Sequence, residues 1–135
     1  MEHLVHLVIG GALVTAGAIV GTPLRFAVSR FVGERFGETF PWGTLIVNVS
    51  GCFLMGLAAA YAKKHGLTGQ SEFWLLFATG FLGSYTTVSS FALQTLALAR
   101  GGEQRSALGN VVLSVALCLC AVTLGFMGGF MVGVP

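Results

Sequence analysis

Charge is scarce in this chain. Only 9% of the residues are Asp, Glu, Lys or Arg, while 55% are hydrophobic. A water-soluble domain carries about 25% charged residues on average. A soluble catalytic domain is therefore excluded, and an integral membrane protein is predicted. The 135 residues leave room for four crossings and little else, since each crossing needs about 20 mostly apolar residues. Acid is scarcer still. Glu2, Glu34, Glu38, Glu72 and Glu103 are the only carboxylates, and all lie near the N-terminus or between apolar runs. Histidine is equally peripheral, with His3 and His6 near the start and His65 in a loop. No Ser–His–acid set and no metal-ligand spacing converges, so an enzyme is not expected. Cysteine is limited to Cys52, Cys118 and Cys120, all within apolar runs. Cys118 and Cys120 are two apart and point to different helix faces. All three read as small core residues, with neither a disulfide nor a metal site. The start, "MEHLVHLVIGG", lacks a basic leading region, so a cleaved secretory signal is not expected. A net charge of +2 carries no nucleic-acid signal.

What the chain does have is four apolar runs punctuated by charge. The expected spans are about 4–28, 43–62, 73–99 and 107–132. Between them lie "SRFVGERFGETFPW", the stretch from "KKHG" through Gly69, Gln70 and Glu72, and "RGGEQR". Trp42, Tyr61 and Trp74 fall near span ends, as interfacial anchors do. Without linkers or low-complexity segments, residues 1–135 read as a single four-helix transmembrane domain. Four crossings put both termini on one side, together with Lys63 and Lys64. Arg30, Arg35, Arg100 and Arg105 lie on the other, with Arg25 near the end of the first span. The positive-inside rule then places the termini outside. Glu34, Glu38 and Glu103 offset part of this bias, so insertion in either orientation is open to the chain.

Four spans make a thin bundle that can hardly enclose a pathway alone, so an oligomer is expected. Gly17 and Gly21 form a G-x-x-x-G pair, read as simple helix packing. Thr44, Asn48, Gly51 and Met55 share one face of the second span. Asn48 brings a full amide into an apolar run and must face protein or water. It is either interhelical glue or the lining of a pathway. Asn110, Ser114, Cys118 and Ala121 share a face of the fourth span, although a serine often bonds only its own helix. Arg25 either snorkels to the interface or sets a positive charge at a pathway mouth.

The third span holds "GFLGSYTTVSSF", residues 80–91. Gly80 and Gly83 can let the backbone leave helical geometry, and Ser84, Thr86, Thr87, Ser89 and Ser90 can cap the freed groups. A break at membrane depth must be buried in protein or line a wet cavity. Freed carbonyls suit a cation, and half-helix N-termini suit an anion. Beyond the break, Thr87, Phe91, Gln94 and Thr95 share a face. The Phe91 ring could offer an anion its positive edge or could simply pack in the core.

"WGTLIVNVSGCFLMG" and "GFLGSYTTVSSF" resemble the signatures of the CrcB/Fluc fluoride channel family, and "GAIVGTPLRF" is similar to its glycine–arginine pattern. The likeness covers nearly the whole chain, in order. It implies an all-α membrane protein of four transmembrane helices per protomer, the third broken mid-membrane, in a dual-topology antiparallel homodimer. It implies passive fluoride efflux through the bacterial cytoplasmic membrane and resistance to fluoride. It implies a structural Na⁺ at the dimer centre, held by the backbone carbonyls of Gly83 and Thr86 from both subunits. Asn48, Phe91 and Arg25 match pathway residues of the family; Thr44 and Ser114 match polar lining positions. Thr87, Val88, Ser90 and Gln94 complete the implied fluoride pathway. Val88 departs from the family's first phenylalanine, Ser90 from a threonine and Gln94 from a glutamate. Tyr85 replaces a usual aromatic or aliphatic residue. A heterodimer whose other chain carries the complete aromatic set is therefore an alternative to the homodimer. A small dual-topology drug/proton exporter is a further alternative, but it wants a carboxylate inside a span, which this chain lacks. A non-transporting scaffold subunit is the remaining one.

Overall fold

The computed structural model describes residues 1–37, 39–67 and 71–131. Glu38, Gly69, Gln70 and the expected end of the fourth span at Val132 lie outside the described residues. The described chain is helical, with no strand among the described residues. Helix α1 spans Glu2–Phe36 and α2 spans Trp42–Lys64. A π-helix follows at Trp74–Leu82 and runs into a single turn, α3, Gly83–Tyr85. Helix α4 is Val88–Arg100 and α5 is Gln104–Met131. Helices α1, α2 and α5 are each long and apolar enough to cross a membrane. The third crossing is composite, because its helix is interrupted between Tyr85 and Val88. Long apolar side chains such as Leu7, Ile19, Phe26 and Leu119 lie exposed on the outside, where lipid would cover them.

Helix α1 differs from expectation at its C-terminal end. The residues read as the start of a polar loop continue the helix through Arg30 and Glu34 to Phe36. Arg30 Nε donates to Glu34 Oε1 one turn later at 2.7 Å, with both groups exposed. Such i,i+4 pairs favour a solvent-facing helix. At about 1.5 Å per residue α1 is about 52 Å long, well beyond a hydrocarbon core of about 30 Å. At the other charged corners a glycine of positive φ follows the helix end. Gly66 closes α2 at φ +63 and Gly102 turns the chain from α4 into α5 at φ +86. Both values favour a residue without Cβ.

Two glycine seams bring the helices together. A Cβ on Gly17 would meet the Leu76 carbonyl, and one on Gly21 would meet the Phe81 carbonyl and the Ser84 hydroxyl. The G-x-x-x-G pair is thus a packing surface for the π-helix. Gly80 closes the same seam against the backbone of Val14 and Gly17. This corrects the reading of the third span. Gly80 lies inside the π-helix and Gly83 is right-handed helical, φ −63 and ψ −31. Neither glycine makes the break. The second seam joins α2 to α5, the most extensive helix pairing in the protein. There a Cβ on Gly56 would meet the Val122 carbonyl, and one on Gly125 the Phe53 carbonyl. The obstacle in each case is backbone, which cannot swing away. Gly56→Val is therefore expected to separate α2 from α5 and lower the melting temperature in detergent by on the order of 10 °C. A melting temperature matching the parent chain would show that this seam is not tight.

Candidate functional site

The interruption sits at two threonines. Thr86 is extended at φ −78 and ψ 160, and Thr87 at φ −152 and ψ 118. The hydroxyl-rich composition makes the interruption tolerable. The Ser90 backbone N–H donates to Thr87 Oγ1 at 3.2 Å, an N-cap that satisfies one orphan donor of α4. On the preceding side, Thr86 Oγ1 donates to the Leu82 carbonyl at 3.0 Å and Ser84 Oγ to the Phe81 carbonyl at 3.0 Å. Those carbonyls belong to the end of the helix that stops.

Helix α2 supplies the rest. Asn48 Nδ2 donates to the Thr87 carbonyl at 2.9 Å, and the Thr87 N–H donates to Asn48 Oδ1 at 2.8 Å. One side-chain amide thus pairs with both backbone groups of one residue, as a neighbouring strand would. Ser50 Oγ and Tyr85 Oη lie 2.9 Å apart in a hydrogen bond, and Tyr85 is buried. Gly51 leaves room for the Thr86 Cγ2 methyl. Asn48, Ser50 and Gly51 therefore seat Thr87, Tyr85 and Thr86. A column of rings stands behind this seat. Phe73, Phe77, Phe81 and Tyr85 stack at successive centroid distances of 5.6, 5.5 and 6.0 Å.

A second set of bonds fastens α4 to α5. Asn110 Nδ2 donates to Thr95 Oγ1 at 2.8 Å, and Thr95 Oγ1 donates to the Phe91 carbonyl at 2.7 Å. Ser114 Oγ reaches Asn110 Oδ1 at 3.4 Å. Asn110 is 2% exposed, which places this bond inside the bundle.

The candidate residues divide between separate hollows. A groove of about 320 Å³ gathers Asn48, Thr86, Thr87, Val88, Phe91 and Ser114. Val88 stands at its open rim and is 77% exposed. A recess of about 530 Å³ on another side of Thr87 holds Arg25, Thr44 and Ser90. Among the described residues Arg25 has no ion-pair partner. Thr44 also borders a hollow of about 590 Å³ lined by Gln94, Arg30 and Glu34. Gln94 Oε1 is buried there and accepts no hydrogen bond among the described residues. Two of the expected faces therefore meet more than one hollow. Thr44 does not line the groove with Asn48, Gly51 and Met55, and Gln94 does not line it with Phe91. Thr87 borders both the groove and the Arg25 recess, and the bonds to Asn48 fix it there. A further hollow of about 760 Å³, between α2 and α5 with Phe36 of α1 at its edge, is lined by apolar side chains and Ser50 and holds none of these residues.

Sequence reasoning missed the Ser50–Tyr85 and Asn110–Thr95 partners. Each polar residue was visible, but the pairings join residues 35 and 15 positions apart, and only packing brings them together.

These elements define a multi-pass α-helical membrane protein whose third crossing is interrupted beside a largely apolar groove into which a few polar side chains are set. Residues 12–126 match the model of the CrcB-like protein, camphor resistance (CrcB) family. The chain belongs to that family. It is 54% identical over 122 residues to a fluoride-specific ion channel, FluC 2, of Rhodopseudomonas palustris, covering 90% of this chain and 93% of the relative. It is 50% identical over 123 residues to a fluoride-specific ion channel, FluC 2, of Bradyrhizobium diazoefficiens, covering 90% of each. A fluoride-specific ion channel, FluC, of Opitutus terrae is 46% identical over 127 residues, covering 93% of this chain and 90% of the relative.

Proposed function

We propose that this chain is a fluoride-selective ion channel that lets fluoride leave passively across the bacterial cytoplasmic membrane and so confers resistance to it. Kinship to fluoride-specific channels at about half identity supports this reading. The observation that carries it is the Asn48–Thr87 clamp. The clamp holds the start of α4 open on the groove, so that its positive helix end, an amide, hydroxyls and the Phe91 ring converge there.

Fluoride is small, hard and strongly hydrated. A selective path must replace its water with several donors yet still release the ion. The Ser90 hydroxyl and the second Asn48 N–H are neutral donors that bind without trapping, while the Thr87 and Ser114 hydroxyls donate to Ser90 Oγ and Asn110 Oδ1. The uncompensated Arg25 raises the local concentration of anions beside Thr44. HF crosses membranes and dissociates inside, and the membrane potential then drives the anion out through a passive leak.

The working unit of this reading is an antiparallel dimer, whose second copy covers the groove's open rim at Val88. Na⁺ is its structural ion. The Thr87 N–H would donate to the Gly83 carbonyl in a continuous helix but donates to Asn48 instead, which frees that oxygen. Gly83 is exposed, and a Cβ there would find only the Ala78 carbonyl, at 3.7 Å. The extended Thr86 turns its own carbonyl out of the helix. Neutral backbone oxygens suit a hard monovalent cation. The Gly83 and Thr86 carbonyls of two copies would hold it, and it would supply positive charge at the centre of the assembly.

Liposomes loaded with fluoride and carrying only this chain test the reading. Fluoride efflux is expected to be fast and chloride efflux negligible under the same gradient. Equal rates for the two ions would end the specificity claim. No fluoride flux at all would turn the reading to a heterodimer, in which Val88 meets an aromatic on a different chain.

A further inference from the structure

The groove contains a second kind of chemistry that the fluoride reading leaves unused. Asn48 and Ser114 stand at one level of it, on α2 and α5 respectively. One turn further along each helix stand Cys52 and Cys118, both lining the same groove. The two thiols come from α2 and α5, on either side of the groove, and both are unbridged. Met55, one turn beyond Cys52 on the same helix face, lines the groove as well. Three sulfur-bearing residues, at positions 52, 55 and 118, thus line one hollow. No cluster of three His, Cys, Asp or Glu side chains suited to a metal exists among the described residues. The thioether of Met55 supplies the third donor, and it is a soft one.

We propose that Cys52, Met55 and Cys118 form a binding site for a single soft d¹⁰ cation, of the Ag⁺ or Cu⁺ class. Thiolate and thioether sulfur select such ions over hard ones. The charge balance suits an apolar surrounding. One thiol, that of Cys118 or Cys52, loses its proton to water as its sulfur bonds the metal. The other thiol and Met55 donate sulfur lone pairs while remaining neutral. A monovalent cation plus one thiolate leaves no net charge in the groove, where an unpaired charge would be costly. The neighbouring tier is Asn48 and Ser114, so a bound cation occupies the space beside them. Fluoride conduction through this groove is then blocked by soft metal; that consequence rests on the fluoride reading, whereas the binding site does not.

Silver nitrate titrated into the detergent-purified full chain, in chloride-free buffer, tests the site directly. One Ag⁺ per chain is expected. Cys52→Ser and Cys118→Ser should each weaken binding by at least about 100-fold, and Met55→Leu by about 10-fold. Cys120→Ser should bind as the parent chain does, because Cys120 is exposed outside the groove. Cys52→Ala and Cys118→Ala replace the serine variants if those elute as aggregates. Parent-like affinity in both the Cys52 and Cys118 variants, or equal loss in Cys120→Ser, overturns the site. In liposomes, each chain is compared with itself before and after Ag⁺. The parent should lose fluoride efflux and Cys118→Ser should keep its own rate. Binding without block would uphold the metal site and remove the fluoride path from this groove.

Discussion

Replacing Asn48 with leucine is expected to cut fluoride efflux on the order of 100-fold, with a much smaller loss of folded protein. Asn48 makes two hydrogen bonds to Thr87, one to each backbone group. Each is worth about 1–1.5 kcal/mol net, and a buried backbone group left without a partner costs about 1–3 kcal/mol. Between membrane helices such bonds average about 0.6 kcal/mol, so the bundle itself survives. What is lost is the preference for the interrupted backbone. A freed Thr87 N–H can return to the Gly83 carbonyl, which re-forms a helical bond at the price of the groove. The two lost bonds together with the cost of a buried Thr87 carbonyl left unpaired make a bias of about 3 kcal/mol, which moves a two-state equilibrium roughly 100-fold. Asn48→Asp separates the parts of the effect. It retains the acceptor for the Thr87 N–H, removes the donor to the Thr87 carbonyl and sets a negative charge where an anion must pass. It is expected to conduct no better than the leucine variant. Fluoride-electrode recordings on liposomes with matched protein content measure both. Parent-like flux in Asn48→Leu would mean that the clamp neither holds nor lines the path.

The sequence displayed the crossings because lipid imposes a simple rule, a long apolar run between charges. It also displayed the interruption, since five serine and threonine hydroxyls from Ser84 to Ser90 have no business in a plain lipid-facing helix. Its position was less legible. Glycine is the usual mark of a break, and two glycines stood in the stretch, but both proved to be helical and one closes a seam. The break fell instead where a Thr could cap the next helix and an Asn on another helix could replace the lost bonds. The second condition depends on contacts 39 residues apart. Helix α1 ran past its expected end for a related reason. Hydropathy marks where a helix leaves lipid, and the Arg30–Glu34 pair lets it continue in water. The two readings left open for Asn48 are not exclusive. The amide bonds a neighbouring element, and it borders a groove. Gln94 and Thr44 border other hollows than Phe91 and Asn48 do, because helical periodicity places residues on a face but does not say which hollow that face meets.

The same seat yields the other large effect, at Gly51. A Cβ at this position would run into the Thr86 Cγ2 methyl and lie 3.4 Å from Tyr85 Cδ1. The Thr86 methyl sits on a β-branched carbon whose hydroxyl is bonded to the Leu82 carbonyl, so it can give only by shifting Thr86, and Gly51→Ala is already expected to lower flux by on the order of 10-fold. Gly51→Val places a branched group there that cannot rotate clear. It pushes Thr86 off α2, and because Tyr85 and Thr87 flank Thr86, the Ser50–Tyr85 and Asn48–Thr87 bonds lengthen together. Fluoride efflux should then fall below detection, about 1,000-fold or more, since neighbouring bonds fail as a unit and not additively. The α2–α5 seam lies further along, at Gly56 and Gly125, so Gly51→Val should still elute as a discrete species. That pairing of a preserved elution profile with lost flux separates a displaced break from general misfolding. A conducting Gly51→Val chain would mean that the break does not depend on its seat against α2.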